Sequence, residues 1–147
     1  MKRSTARELA ARLCFMITEN PMEPDELLDT VFEEEHYASL AGEDELFAEK
    51  PGKQLEYIKQ VVRGVGLHSA ELDEYIATYS VGWDFDRISR PALSIMKTAM
   101  FEMLYMPDIP AGVSINEAVE LAKKYVEPET VPFVNGILGA FAKGEGI

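Results

Sequence analysis

The stretch of residues 110–139 constrains the fold of this chain more than any other, because it carries start and stop signals for two consecutive helices. Ser114, followed three residues later by Glu117, has the spacing of a capping box, in which the serine hydroxyl accepts a hydrogen bond from a backbone amide at a helix start. Pro128 predicts the end of this helix, and Thr130 is a candidate cap for the next. The stretch therefore predicts a helical hairpin.

Apolar residues recur at intervals of three or four through both helices of this hairpin, as on one side of an α-helix. They are Ile115, Ala118, Val119 and Ala122 in the first helix, and Phe133, Val134, Ile137, Leu138 and Phe141 in the second. The same period recurs through the rest of the chain, and no segment shows sustained alternation. We expect one all-α domain, residues 1–147, with about seven helices in two small bundles covering about 1–50 and 51–147.

The opening of the chain repeats the capping-box spacing at Thr5 and Glu8, which predicts a first helix over residues 6–18. Its apolar positions should be buried, leaving Arg7 and Arg12 in solvent; these positions are Leu9, Leu13, Met16 and Ile17. A second helix should begin at Pro24, with any continuation ending by Gly42. Farther along, the aromatic side chains of Trp83 and Phe85 are expected to fill space between helices.

The formal net charge of −12 argues against wholesale nucleic-acid binding, since affinity for a polyanion depends mainly on neutralising its phosphates. The charges are unevenly distributed, however. Between residues 19 and 50, twelve acidic residues accompany a single basic one, Lys50. The first twelve residues carry four basic side chains, which we call the N-terminal basic cluster: Lys2, Arg3, Arg7 and Arg12. The basic end and the acidic middle can therefore serve different partners.

Residues with catalytic or metal-binding chemistry are sparse. Cys14 is the only cysteine and fits a small buried hydrophobe better than a reactive thiol. His36 and His68 stand in no metal-ligand spacing, so we expect no metal, no cofactor and no enzymatic activity. Four methionines recur at helical spacing: Met96, Met100, Met103 and Met106. We expect them to fill the hydrophobic core; the alternative is that they line a groove that binds a partner. No membrane-spanning run occurs, and the lone cysteine suits the cytoplasm.

Four segments of the chain resemble the NusB family of transcription antitermination factors. They are RELAAR at 7–12, PALSIMKTAMFEM at 91–103, INEAVELAK at 115–123 and FVNGIL at 133–138. The resemblance runs from Thr5 to Phe141 and is weakest around residues 20–50. It implies the all-α fold already inferred from the periodicity. It also implies a non-enzymatic adaptor that helps an elongating RNA polymerase, indirectly, to read through ribosomal RNA operons.

The resemblance also implies which residues contact RNA. In this family the N-terminal helix and the start of the FVNG helix form the RNA surface, which corresponds here to the N-terminal basic cluster together with Phe15, Glu129 and Phe133. Helical periodicity alone would place both phenylalanines in the core. Basic residues and aromatic faces are the groups that hold unpaired bases of single-stranded RNA.

Family members bind NusE, a small-subunit ribosomal protein, and the heterodimer binds the boxA element of nascent ribosomal RNA. The resemblance places the NusE surface in the region 72–105, with Tyr79, Arg87, Arg90 and Glu102 as candidates. Charge complementarity fits such a pairing, because a basic ribosomal protein could supply the phosphate neutralisation that this acidic chain lacks.

Two other readings remain open. The acidic balance is compatible with a protein-binding scaffold, or with a homodimer, that has little RNA affinity of its own. A NusB-like domain also precedes the catalytic domain of some ribosomal RNA cytosine methyltransferases. Such an enzyme needs an α/β cofactor domain downstream, and none follows residue 147 in this sequence, so we expect no methyl transfer.

Overall fold

The computed structural model describes residues 1–147, which form α-helices and short 3-10 turns without strands. The eight helices are α1 (Arg3–Glu19), α2 (Pro24–Val31), α3 (Glu34–Leu40), α4 (Gln54–Leu67), α5 (Ser69–Tyr79), α6 (Arg90–Tyr105), α7 (Ala111–Tyr125) and α8 (Val131–Gly144). The 3-10 turns cover Glu45–Phe47, Phe85–Arg87 and Pro128–Thr130. The all-α prediction is confirmed. None of the helices is both long enough and apolar enough to cross a bilayer.

The eighth helix arises because the segment after Pro24 contains two helices, α2 and α3. Glu33 separates them: its backbone is extended, with φ −62° and ψ 131°. Its carboxyl oxygens accept hydrogen bonds from the amides of Glu35, at 3.2 Å, and His36, at 2.8 Å. A side-chain cap of this kind satisfies amides that a helix leaves unpaired at its start, so α3 begins anew at Glu34.

The chain divides into two compact units, Met1–Gly66 and Leu67–Ile147. The boundary drawn from the sequence lay near residue 50, whereas here nearly all of α4 belongs to the first unit. Contacts along α4 explain this assignment. Arg63 Nε donates a 2.5 Å hydrogen bond to Asp25 of α2, and a Cβ added to Gly66 would lie 2.7 Å from Cγ of Pro24.

The core of the first unit is built on the apolar side of α1. The side chains of Leu9 and Leu13 are buried there, and Cys14 is buried beside them, as predicted. Met16, which the periodicity assigned to the core, is exposed instead. The helix also begins earlier than the capping-box spacing indicated, at Arg3, and Lys2 occupies the cap position without a side-chain hydrogen bond to the helix.

The second unit is organised around α6, which packs against α5, α7 and α8. Met96, Met100 and Met103 are buried, so these three of the four methionines belong to the core. Flexible thioether side chains fill the irregular spaces between several helices well, which suits them to this central position.

Ser114 is not the cap of α7. This helix begins at Ala111, with Pro110 at the cap position, and the Pro110 carbonyl accepts the amide of Ser114 at 3.3 Å. The serine therefore lies inside the first turn and is completely buried. Its hydroxyl donates a 2.8 Å hydrogen bond to Oε1 of Glu102 on α6. The capping-box prediction was wrong because the side chain satisfies a buried carboxyl group rather than the backbone.

Candidate nucleic-acid interface

Arg3 is held in a fixed position at the start of α1. Its Nε donates a 2.6 Å hydrogen bond to Oε1 of Gln54, and its guanidinium carbon lies 4.2 Å from the centroid of the Tyr57 ring. This is the geometry of a cation–π contact. Gln54 and Tyr57 are three residues apart on α4, so both side chains point to the same side of that helix. Arg3 remains exposed and can receive an anion.

Arg7 is placed differently from the sequence-based expectation. It was predicted to face solvent, yet only 3 % of its surface is exposed. Its guanidinium carbon lies 5.7 Å from the centroid of the same Tyr57 ring. A buried charge needs partners, and Tyr57 is one of them. In this conformation Arg7 supports the arrangement around Tyr57 and presents almost no surface to a phosphate.

Arg12 is paired with an acidic residue of the same unit. Its Nη1 donates to Oδ2 of Asp44 in a short ion pair, while Oδ1 of Asp44 accepts the amide of Leu46 at 2.9 Å. Phe15, one turn further along α1, is half-buried, and Lys2 is exposed. An RNA phosphate would therefore compete with Asp44 for Arg12 but would meet Lys2 directly.

Phe133 forms an aromatic pair with Trp83 in the second unit. The ring centroids are 4.1 Å apart and the rings are tilted by 39°; we call this the Trp83–Phe133 pair. Trp83 is 54 % exposed, so the expectation that it fills space between helices was wrong. Phe133 is half-buried, and Glu129, in the 3-10 turn before α8, is exposed. The start of α8 therefore presents aromatic surface to solvent.

Tyr79 is tied to the end of α8. Its hydroxyl donates a 2.6 Å hydrogen bond to Oε2 of Glu145, which raises the pKa of Tyr79, with burial and the charge of Glu145 adding to the effect. A Cβ added to Gly144 would collide with the Tyr79 ring and hydroxyl. Tyr79 packs edge-on against Phe141 at 5.9 Å between ring centroids, so its orientation is fixed from two sides.

The three other partner candidates differ in accessibility. Arg87 is highly exposed, at 86 % of its side chain, with Nε 3.9 Å from Oδ2 of Asp84. Arg90, the first residue of α6, is also exposed. Glu102 has no exposed surface and accepts the hydrogen bond from Ser114. It is therefore inaccessible to a partner in this structure.

His68 lies at the cap position of α5 and is engaged within its own unit. Its ring stacks on Tyr105 at 4.2 Å between centroids, and Nδ1 lies 3.1 Å from Oε2 of Glu71. The Tyr105 hydroxyl donates to the same carboxyl oxygen at 2.9 Å. Burial, followed by this hydrogen bond, raises the pKa of Tyr105. The cluster joins α5 to α6 and has a structural role.

Three residues that shape these surfaces were missed by sequence reasoning. Tyr57 was not identified because it is itself buried, and no local pattern shows that its ring lies against the guanidinium groups of Arg3 and Arg7. Trp83 follows Gly82 outside any periodic apolar segment, which is a signal of exposure. Asp44 stands in an acidic run, and no local pattern identifies Arg12 as its partner.

Known protein sequences of one family match this chain over nearly its whole length. The sequence profile described as "NusB family" matches residues 4–143. Transcription antitermination protein NusB of Carboxydothermus hydrogenoformans is 41 % identical over 143 residues, covering 97 % of this chain and 94 % of the relative. The protein of the same name from Bacillus velezensis is 39 % identical over 138 residues, with coverages of 94 % and 93 %.

Solved structures show the same fold. The structure of T. maritima NusB superimposes with a TM-score of 0.78 at 26 % identity, covering 97 % of this chain and 92 % of that one. A structure described as antitermination factors NusB and NusE in complex with dsRNA gives a TM-score of 0.76 at 22 % identity, with coverages of 97 % and 96 %. With its sequence matched almost from end to end and its helices superimposable on solved members, this chain belongs to the NusB family.

Proposed function

We propose that this chain is a non-enzymatic, cytoplasmic adaptor of transcription antitermination. It pairs with NusE, binds a boxA-like single-stranded element of ribosomal RNA transcripts, and acts on the elongating RNA polymerase indirectly. Support comes from its family and from relatives that carry the name transcription antitermination protein NusB. A structural neighbour described as a NusB and NusE complex with dsRNA suggests the two classes of partner.

The observation that carries the RNA proposal is the placement of Arg3. An arginine fixed by Gln54 and the Tyr57 ring has already lost much of the side-chain freedom that an exposed arginine would lose on binding. Lys2 is exposed next to it, and the first turn of α1 contains no acidic residue. A phosphate at this helix start would meet two cations and the positive end of the helix dipole.

The second unit would contribute aromatic surface and the protein partner site. Phe133 supplies a ring for a base, with Glu129 close in sequence. We assign the NusE surface to Tyr79 and Arg90. We leave out Glu102, because it is buried, and Arg87, because it lies in the same connection as Trp83, which contacts Phe133 of the proposed RNA surface. The net charge of −12 favours a basic partner and disfavours RNA, so RNA binding should be weak without NusE and stronger with it.

The test is a titration of labelled boxA-like RNA with the protein alone and with NusE, at two or more salt concentrations. The variant Lys2→Ala/Arg3→Ala should bind more weakly. If both residues contact phosphate, the slope of log K against log salt should fall by about 1.4, since each single-strand contact contributes about 0.7. The matched control is Lys123→Ala/Lys143→Ala, which removes the same charge from α7 and α8 of the second unit.

Negligible RNA affinity in the presence of NusE would contradict the proposal, as would equal losses in both double variants. For the partner surface, Arg90→Ala should weaken NusE binding, whereas Arg63→Ala, an exposed arginine of α4, should not.

A second candidate function is a scaffold or homodimer with little RNA affinity of its own. Specific observations favour it: Arg7 is buried and Arg12 forms an ion pair with Asp44, so two of the four members of the N-terminal basic cluster are either buried or paired with an acidic residue. Measurement of the molar mass in solution, combined with the titration above, distinguishes the two. If this second hypothesis is correct, the protein forms a dimer or binds NusE, and its affinity for RNA stays low in either state.

A further inference from the structure

The only tryptophan of the chain lies on the surface of the second unit, between α5 and α6. Large aromatic side chains are usually mostly buried, and exposed ones are enriched at binding sites. Trp83 is more than half exposed, although its ring contacts Phe133 at 4.1 Å between centroids. The contact supports the indole from one direction and leaves most of its remaining surface in solvent.

A turn with a constrained backbone holds Trp83 in this position. Gly82 has φ +83°, a conformation that other residues adopt only with strain. The Trp83 amide donates to the Ser80 carbonyl at 3.0 Å, and Oδ1 of Asp84 accepts the amide of Asp86 at 3.1 Å. The backbone on both sides of the indole is therefore constrained, so its exposure follows from the local fold.

The chemistry around Trp83 suits a nucleobase attached to a phosphate. An indole gives a wide π-face on which any base can stack. Arg87, in the same connection, has 86 % of its side chain exposed, and its nearest acidic group, on Asp84, is 3.9 Å away. A guanidinium in that position can neutralise the phosphate of a stacked nucleotide.

We propose that Trp83 is a base-stacking residue for single-stranded RNA, with Phe133 as its support and Arg87 as the phosphate contact. This inference rests on the RNA-binding function proposed above and extends it to a residue to which the family resemblance assigned no role. RNA is favoured over a protein partner because Trp83 contacts Phe133, which already belongs to the proposed RNA surface. Contact with protein alone is an outcome that the test must separate.

Because the chain contains one tryptophan, its intrinsic fluorescence reports on this site without a label. Single-stranded boxA-like RNA should quench the emission along the same binding curve that anisotropy of labelled RNA gives. The fully paired duplex of the same sequence should quench less, since its bases are already stacked. NusE without RNA should leave the emission nearly unchanged.

Substitutions test the stacking role independently. Trp83→Ala should raise the Kd for single-stranded RNA by about 5-fold to 100-fold, the range expected for loss of one base–aromatic stack. Trp83→Phe should retain most of the affinity because a smaller π-face remains. The matched control is Val81→Ala in the same turn, where 86 % of the residue is exposed but no ring is present. This control should bind RNA as the unchanged protein does.

The outcomes separate this inference from the function on which it rests. If the unchanged protein binds RNA but Trp83→Ala and Val81→Ala bind equally well, the stacking role is wrong and the RNA function stands. If Trp83→Ala weakens only NusE binding, or NusE alone quenches the fluorescence, Trp83 is a protein contact. If the unchanged protein binds no RNA even with NusE, both proposals fail. Circular dichroism of each variant identifies misfolding, and the quenching of the unchanged protein decides the question without any substitution.

Discussion

The hydroxyl of Ser114 donates a 2.8 Å hydrogen bond to Oε1 of Glu102, and both residues are completely buried. This contact joins α7 to α6 inside the second unit. A buried polar group that loses its partner keeps the cost of desolvation without the compensating bond. The contact therefore matters more for stability than a hydrogen bond on the surface.

We predict that Ser114→Ala lowers the free energy of unfolding by about 1–3 kcal/mol, because the buried carboxyl group of Glu102 loses one of its hydrogen bonds. Denaturant unfolding followed by circular dichroism measures this change. The matched control is Ser39→Ala, because the exposed Ser39 donates a hydrogen bond only to the His36 carbonyl in its own helix. Similar losses in the two variants would contradict the role assigned to Ser114.

Asp44→Asn should increase RNA affinity, because it removes the negative charge that competes with phosphate for Arg12. Asparagine keeps an oxygen that can accept the Leu46 amide, so the turn should persist. If Arg12 then makes one phosphate contact, the salt slope should steepen by about 0.7. The measurement is the anisotropy titration at several salt concentrations.

The control for this variant is Asp25→Asn, which releases Arg63 from an equivalent ion pair elsewhere in the first unit. Both substitutions change the net charge by the same amount. If the two variants gain RNA affinity equally, the effect is one of overall charge and Arg12 has no specific role.

Glu145→Gln should lower the pKa of Tyr79, since the hydrogen bond to Glu145 is the largest cause of its elevation. A raised folded-state pKa means that folding favours the protonated phenol. Its contribution to stability is present below the ordinary tyrosine pKa and is lost as pH rises through the folded-state value. Spectrophotometric titration should show part of the tyrosine absorbance change moving to lower pH. Glu127→Gln, an exposed residue before α8, should leave the titration unchanged.

Gly144→Ala should displace Tyr79, because the added methyl group would occupy the position of its ring and hydroxyl. The hydrogen bond to Glu145 would then be lost, and the alkaline titration should resemble that of Glu145→Gln. Gly139 lies on the same helix, and the position that an added Cβ would occupy is open space. Gly139→Ala should leave the titration unchanged and stabilise the protein by about 0.5–1 kcal/mol. A displaced tyrosine titration in Gly139→Ala would contradict this explanation.

Periodicity was sufficient to predict the fold class, because the helices bury apolar stripes that can be read locally. Pro24 also lies in the first turn of its helix, as expected. Caps were predicted less well. The hydroxyl of Ser114 can form a hydrogen bond either with a backbone amide or with the carboxyl group of Glu102. Which of the two it forms depends on how α6 packs against α7. Local spacing contains no information about this packing.

The sequence predicted which types of residue form the candidate site, but it predicted less well which of these residues are exposed to solvent. Helical periodicity placed Arg7 in solvent, because an arginine beside an apolar stripe is usually exposed. The Tyr57 ring on α4, fifty residues later in the chain, provides a surface against which it lies buried. The opposite error occurred for Trp83, whose apolar character suggested burial. The first error concerns a tertiary contact between helices that are distant in sequence; the second concerns a turn outside the helices that leaves the indole exposed.

Two guanidinium groups approach one phenol ring at the beginning of this protein, Arg3 at 4.2 Å and Arg7 at 5.7 Å. Their mutual repulsion should be strongest in buffers of low ionic strength and weaker when a multivalent anion is nearby. Sulfate, inorganic polyphosphate or heparin should therefore raise the melting temperature of the protein through linkage, even without any nucleotide sequence to recognise.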